Sequence, residues 1–496
     1  MTSPALDEIL ERFIRFEEQA QLWSLKAAGQ PYWHAIRYDV FDGVVSGLGL
    51  LGRRHGGHAN KPLVERLAFY PKRWPTTVRR ASWGALKPVD VLVLPHPRFV
   101  PHGHGWICPY TGPLVAGLEH TSVAVKDLYE GHHPPKIDDV GLRYLEWARR
   151  RAEIGFMLTK AGRSSRLKTT DRETITGWVA SLGEHFGVTL DEPGLVGRIR
   201  GTIRNRMTLA SVYTRLLNKT QPKAIVLAVH YSQRNLALAH VAKARDIPII
   251  EVQHGFFGKT HLAYNVAPTR RPDDFPDHLL TFGDFWRDTT PGLPLAPSLA
   301  PAVGFGWLEH QRDAARQASG SPSERDPRYT VLFVSQTTIA KPLADVAAGL
   351  ADRLDPSRFR IRFKHHPSDF SGWRDRYPAL AHPHIDVLDT PMGIYDAFAT
   401  SDAQVGVYST AVYEGLAFGL DTVVMAIPGA EGMQPLVDSG VVTLSQDAGA
   451  LAKHLEVRRD AGTSTQASLE HIWRDGAVEN FRTFMTELIG PSHDGT

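Results

Sequence analysis

Twice along this chain, short runs of β-branched and aliphatic residues alternate with amphipathic stretches, and that alternation constrains the fold more than any other feature of the sequence. The first series is Val89 to Pro95, Val123 to Lys126, Lys223 to the turn ending at Ser232, Ile247 to the loop ending at Gly258, and His278 to Phe282. Helical patterning separates these runs over 142–154, 204–217 and 235–244. The second series is Tyr329 to Ser335, Phe359 to Lys364, Ile385 to Leu388, Gln404 to Tyr408, Thr422 to Ala426 and Val441 to Leu444, with an amphipathic helix over 342–354. Apolar strands that alternate with helices build parallel sheets covered on both faces. The expected fold class is therefore α/β, with two Rossmann-like domains facing a cleft and a helical N-terminal region.

A length of 496 residues exceeds what one hydrophobic core usually serves. We divide the sequence into a helical, basic and aromatic region over 1–85, a first Rossmann-like domain over 86–310, a proline-rich polar linker over 311–328, a second Rossmann-like domain over 329–480 and a tail over 481–496. The basic stretch contains Arg53, Arg54, Lys61, Arg66, Lys72, Arg73, Arg79 and Arg80, interleaved with Phe69, Tyr70, Trp74 and Trp83. It reads either as a solvated face or as a patch that attaches to the inner face of an anionic membrane.

Lys and Arg number 56 against 53 Asp and Glu, a balance that argues against a nucleic-acid partner. No apolar run approaches the roughly 20 residues that span a bilayer, and the first residues lack a secretory pattern. The single cysteine, Cys108, excludes an intrachain disulfide and a cysteine metal cluster. No tight metal-ligand spacing occurs among the 23 histidines, and no Gly-x-Gly-x-x-Gly or Walker loop follows a first strand. The expectation is a cytoplasmic protein without metal or cofactor.

In a parallel sheet, ligands are held at the carboxyl ends of the strands. In the second half those ends carry Ser335, Gln336, Lys364, His366, Pro367, Ser409 and Thr410. The junction from Asp402 to Gly419 reads as a strand over 404–408 followed by a helix opened by Ser409 or Thr410. The N–H groups and hydroxyls there suit an anion, although capping alone also explains them. In the first half the strand ends carry His230, Glu251, Gln253, His254 and Gly255, where the missing side chain admits a close approach. A histidine suits general-base work near neutral pH, or bonds a carbonyl as part of the structure. The loop after Pro95 adds His96, His102 and His104 as residues that could line a site.

Gln253-His-Gly255, Lys364-His-His-Pro367 and Tyr408-Ser-Thr-Ala-Val-Tyr-Glu-Gly-Leu-Ala-Phe-Gly419 together resemble the signature of bacterial GT-B glycosyltransferases of surface-polysaccharide synthesis. Variants of it are shared by capsule polysaccharide biosynthesis proteins, bacterial sialyltransferases and CDP-glycerol glycerophosphotransferases. The resemblance implies transfer of a sugar from a CMP-, CDP- or UDP-linked donor to a surface polysaccharide or glycolipid. It implies that His366, Ser409 and Thr410 grip the donor phosphate beside Lys364, and that Glu414 faces the ribose or base. His254 would be the base of an inverting transfer, Glu251 would orient it or pack as strand structure, and His230, Gln253 and Gly255 would lie on the acceptor side. Asp127 and Glu130 remain rival bases. The chain departs from the pattern in having Gln-His-Gly for Trp-His-Gly, and Thr422 where many retaining members have a second Glu. The alternatives are a nucleotide-sugar 2-epimerase and a non-catalytic assembly protein with the same fold.

Overall fold

A computed structural model describes residues 6–50, 83, 86–118, 122–126, 142–158, 166–318, 326–366, 369, 372–388, 393–461 and 469–490. The basic stretch over 53–80, Asp127, Glu130 and Pro367 lie outside the described residues. The chain divides into two compact units, Met1–Gly304 with Gly476–Thr496, and Phe305–Asp475.

In the first unit, helices α1 (Leu6–Gln19) and α2 (Trp33–Gly47) do not form a region of their own. Their apolar faces, with Phe13, Trp33, Ile36 and Val40, join one core with helix α3 (Thr169–Phe186) and the start of helix α4 (Glu192–Thr220). The sheet contains β1 (Val91–Leu94), β2 (Ser122–Lys126), β3 (Arg143–Tyr144), β4 (Ala224–Leu227), β5 (Ile249–Val252) and β6 (His278–Leu280). The strands are parallel and lie in the order β3-β2-β1-β4-β5-β6. Alternation along them places Leu92, Leu94, Ile225 and Leu227 against Val212, Leu216 and the helix α5 (Gln233–Lys243) that follows β4. The intervening Val91, Val93, Ala224 and Val226 face Leu114, Val115, Phe481 and Met485.

In the second unit, helix α6 (Gly306–Ala318) occupies the start of the stretch expected as a linker, because its sequence continues a helical period past the prolines. Strands β7 (Tyr329–Val334), β8 (Phe359–Lys364), β9 (Ile385–Leu388), β10 (Ala403–Gly406), β11 (Asp421–Met425) and β12 (Thr443–Ser445) form a parallel sheet in the order β9-β8-β7-β10-β11-β12. Helix α7 (Ala340–Ala351) follows β7, and the short helix α8 (Thr410–Leu416) follows β10. Strand β10 and α8 meet through two glycines: a Cβ on Gly415 would overlap Gln404, and one on Gly406 would overlap Val412.

Both sheets therefore share the 3-2-1-4-5-6 order of doubly wound folds, and the chain consists of two Rossmann-like domains. The final helix α9 (Ala477–Ile489) is not a tail, since Ala477, Phe481 and Met485 are fully buried in the first unit's core. Among the described residues no helix is long and apolar enough to cross a membrane.

Candidate functional site

In a 3-2-1-4-5-6 sheet the connections leave in opposite directions from the first and fourth strands, which opens a crevice at their carboxyl ends. In the first unit that crevice lies between β1 and β4. A cavity of about 450 Å3 occupies it, lined by residues 94–97, 228–229, 231–232, 234–235, Leu145, Tyr213 and His254.

The turn from β4 into α5 shapes one wall. Val229 has φ +63°, a left-handed conformation that costs a β-branched residue about 1–3 kcal/mol and persists only when its surroundings hold it. Asn235 holds it by donating from Nδ2 to the carbonyls of Ala228 at 2.8 Å and Val229 at 3.0 Å. Ser232 caps α5, its hydroxyl accepting from Asn235 N at 3.2 Å, and the next tie is His230 N donating to Glu251 Oε1 at 3.0 Å.

Glu251, fully buried on β5, is the hub of the wall behind the cavity. Its carboxylate also accepts from His230 Nδ1 at 2.6 Å and from the Tyr264 hydroxyl at 3.0 Å. Burial alone would raise its pKa; the His230 contacts and the neighbouring His254 outweigh burial and hold it below the usual carboxylate value. His254 presents Nδ1 to Glu251 Oε1 at 3.9 Å, beyond hydrogen-bond range, and that nitrogen has no hydrogen-bond partner among the described residues. Its Nε2 lies 3.3 Å from the Tyr231 hydroxyl in the cavity wall, and its ring stacks on His96 at 5.5 Å. Burial pulls the His254 pKa down to about 4, against the opposing pull of Glu251. Burial also raises the Tyr231 pKa, so its hydroxyl keeps its proton. In the tautomer with Tyr231 donating to Nε2, the ring's own proton sits on Nδ1, on the Glu251 side.

The loop after His254 is fixed from the N-terminal helices. Glu17 and Arg37 form a buried bidentate pair at 2.5 and 2.6 Å, and Trp33 Nε1 donates to Glu17 at 2.7 Å. Arg37 then donates to the carbonyls of Leu262 at 2.6 Å and Asn265 at 2.9 Å.

His230, expected on the acceptor side, is 2% exposed, and the cavity wall is formed instead by its neighbours Tyr231 and Ser232. Gln253 is a brace: its Nε2 donates to Gly255 O at 2.9 Å and its Oε1 accepts from Phe282 N at 2.7 Å. Gly255 has a negative φ and open space where a Cβ would stand, so the backbone there does not need glycine.

The second unit has the same crevice between β7 and β10. Ser335 and Gln336 leave β7 there, and the Thr338 and Tyr408 hydroxyls bond each other across it at 2.5 Å. Ser335 Oγ is buried without a hydrogen-bond partner among the described residues, as is Gln336 Oε1. Ser409 caps α8, its hydroxyl accepting from Ala411 N at 3.1 Å, and α8 is only seven residues long. Thr410 and Glu414 are half-buried. At the end of β8, Lys364 is buried, which lowers its pKa, and His366 is exposed. His365 stacks against Tyr377. Thr422 accepts from the buried Gln404 Nε2 at 2.9 Å, a structural task.

Tyr231, Arg234 and Asn235 also line the cavity, and no sequence motif marked them as site residues. The signal that drew attention to Ser409, a strand leading through a hydroxyl cap into a helix, is equally present at Ser232.

A scan against protein-family models and a search of curated proteins each found no match. Among solved structures, the chain is similar to UDP-GlcNAc 2-epimerase from Neisseria meningitidis bound to UDP-GlcNAc, at 10% identity and TM-score 0.47, over 80% of this chain and 98% of that one. UDP-N-acetylglucosamine 2-epimerase from Rickettsia bellii matches at 13% identity and TM-score 0.45, over 82% and 96%. MurG of Acinetobacter baumannii matches at 14% identity and TM-score 0.39, over 60% and 80%. The fold assignment rests on the strand orders of the two sheets themselves.

Proposed function

We propose that this chain is a glycosyltransferase that moves a sugar from a nucleotide-sugar donor to an acceptor hydroxyl, with His254 as the base. The observation that carries the reading is the placement of His254 at the first unit's crevice. Its Nε2 meets the cavity wall, and a buried carboxylate stands 3.9 Å behind Nδ1. An acceptor hydroxyl that takes the place of the Tyr231 hydroxyl would give its proton to Nε2 as its oxygen attacks the anomeric carbon. The bond from that carbon to the donor phosphate breaks, and the nucleotide leaves with the electron pair. Glu251 supplies negative charge as the imidazole becomes cationic, and burial within the protein strengthens that stabilisation. A base with a pKa near 4 is unprotonated at neutral pH and accepts the proton late, when departure of the phosphate has made the attacking hydroxyl acidic.

On this reading the second unit's crevice takes the donor nucleotide. Ser335, Gln336, Lys364, His366, Ser409 and Thr410 meet the phosphates, Glu414 meets the ribose or base, and the reaction needs no cofactor. The buried, unpartnered Ser335 Oγ supports this division. The acceptor class, a surface polysaccharide or glycolipid made at the cytoplasmic face of a bacterial envelope, comes from the motif resemblance alone. Turnover of His254→Gln with UDP-, CDP- and CMP-sugars tests the proposal. The expected result is a loss of at least about 100-fold in kcat with the nucleotide Kd unchanged. A rate within about twofold of the wild type removes His254 as the base. Acceptor-independent release of nucleotide and free sugar would replace transfer by an epimerase reaction.

A further inference from the structure

We propose that His230 is a positioning residue for the reaction: it grips both oxygens of Glu251 and aims Oε1 of that carboxylate at Nδ1 of His254. The inference rests on the glycosyltransferase reading and adds to it the group that holds the base's partner in place.

The bonding around Glu251 carries it. One residue gives one carboxylate two donors, His230 N to Oε1 at 3.0 Å and His230 Nδ1 to Oε2 at 2.6 Å, and two such bonds fix the plane of the carboxylate. Glu251 is held below the usual carboxylate value, and an ionised carboxylate only accepts, so Nδ1 carries a proton. In that plane Oε1 faces His254 Nδ1 at 3.9 Å. His230 Nε2 is buried with no hydrogen-bond partner among the described residues, so the ring spends its polar bonding on Glu251. Phe275 at 4.6 Å and Tyr264 at 5.3 Å meet the ring edge to face and wedge it there. Without the ring's donor, burial would push the Glu251 carboxyl up, and a protonated Glu251 offers no charge to a cationic His254.

The dependence of kcat on pH in the full-length wild type, His230→Phe and His230→Asn tests the inference. Phe keeps a ring between Phe275 and Tyr264 but loses the donor, whereas Asn carries an amide nitrogen on Cγ, where Nδ1 is attached. The wild type should be level between about pH 5.5 and 8, because His254 at about 4 and the lowered Glu251 both titrate below that range. His230→Phe should lose at least about tenfold at pH 6 and regain rate as the pH rises through the raised Glu251 pKa. His230→Asn should stay level, at a rate lowered severalfold. Besides His254, the titratable and charged groups around the pair are His34 on α2, Arg206 on α4, Tyr231, His261, Tyr264 and Asp274. All are common to the three proteins, so the difference between profiles belongs to His230. A purely structural role would lower kcat equally at every pH. A level loss in His230→Phe, or an Asn variant no better than the Phe one, overturns the assignment. If His230→Phe does not fold, His230→Gln, whose amide nitrogen stands one carbon too far out, takes its place with the same two outcomes. Infrared difference spectra, with Glu251→Gln to assign the band, should show a protonated Glu251 carboxyl in His230→Phe at pH 6 and none in the wild type. The two claims fail separately. That infrared result without transfer from any nucleotide sugar would sink the glycosyltransferase reading alone, and transfer with a level profile in His230→Phe would sink the positioning role alone.

Discussion

A histidine that burial keeps neutral leaves a mark on stability as well as on rate. The His254 pKa is about 4 in the folded chain and near 6.5 when unfolded, so between these values the unfolded state binds more protons. Stability should be unaffected by this group above pH 6.5 and should fall as the pH drops from 6.5 to 4. Urea unfolding at pH 7 and pH 4.5 should show that His254→Gln, which cannot titrate, loses about 2 kcal/mol less than the wild type over that interval. His261, pulled down to about 3 mainly by burial, remains in the variant and keeps part of the slope. An equal slope in the two proteins would mean that His254 is solvated. The sequence marked Glu251 and His254 as neighbours at a strand end. It could not reveal that Glu251 spends its shortest bond on His230, because that bond joins residues 21 apart through the β4 turn. Nor could it separate Gln253 the brace from Gln253 the ligand, since both uses need the same amide.

At the scale of an element, the β4 to α5 turn is held by side chains rather than by its own backbone preference. Asn235→Ala would take the Nδ2 donor from the buried Ala228 carbonyl, leave the Val229 carbonyl to Ser232 N at 3.1 Å, and release the left-handed Val229. A loss of about 2–3 kcal/mol in urea unfolding is expected. A loss below about 0.5 kcal/mol would show that Ser232 N and Glu251 hold the turn unaided. The Glu17–Arg37 pair acts similarly on the loop after His254. Arg37→Met strands a buried carboxylate and should cost about 3–5 kcal/mol, whereas the double variant Glu17→Gln, Arg37→Met should recover part of that loss. These ties span more than 200 residues, so no local pattern announces them. The strands themselves were legible, because runs such as Ile225 to Leu227 and Val331 to Val334 are buried throughout and contain β-branched residues. Helix α8 was less so: its pattern continues to Gly419, but after Leu416 the chain turns through i→i+3 bonds, from Ala417 N to Glu414 O, Phe418 N to Gly415 O and Gly419 N to Leu416 O.

At the scale of the whole molecule, two sheets of identical strand order follow from two stretches of alternating sequence, and that repetition was readable. The assignment of the chain's ends was not. Helix α9 has the amphipathic pattern of any surface helix, and only the three-dimensional core shows that Phe481 and Met485 complete the β1 and β4 face. Removal of residues 477–496 should therefore destabilise the first unit, seen as early proteolytic cleavage within 86–304. A cleavage pattern identical to that of the full chain would show that this face is stable when uncovered.

The first unit is interrupted by the second, with 171 residues, 305–475, emerging between β6 and α9. During synthesis the inserted unit has all of its strands before the last helix of the enclosing one exists. The enclosing sheet must wait with Val91, Val93 and Val226 covered by Leu114 and Val115 but not by Phe481 and Met485 while its neighbour folds. At elongation rates of about 5–20 residues per second that wait lasts on the order of ten to thirty seconds, an interval in which a chaperone that binds apolar strands has a defined target.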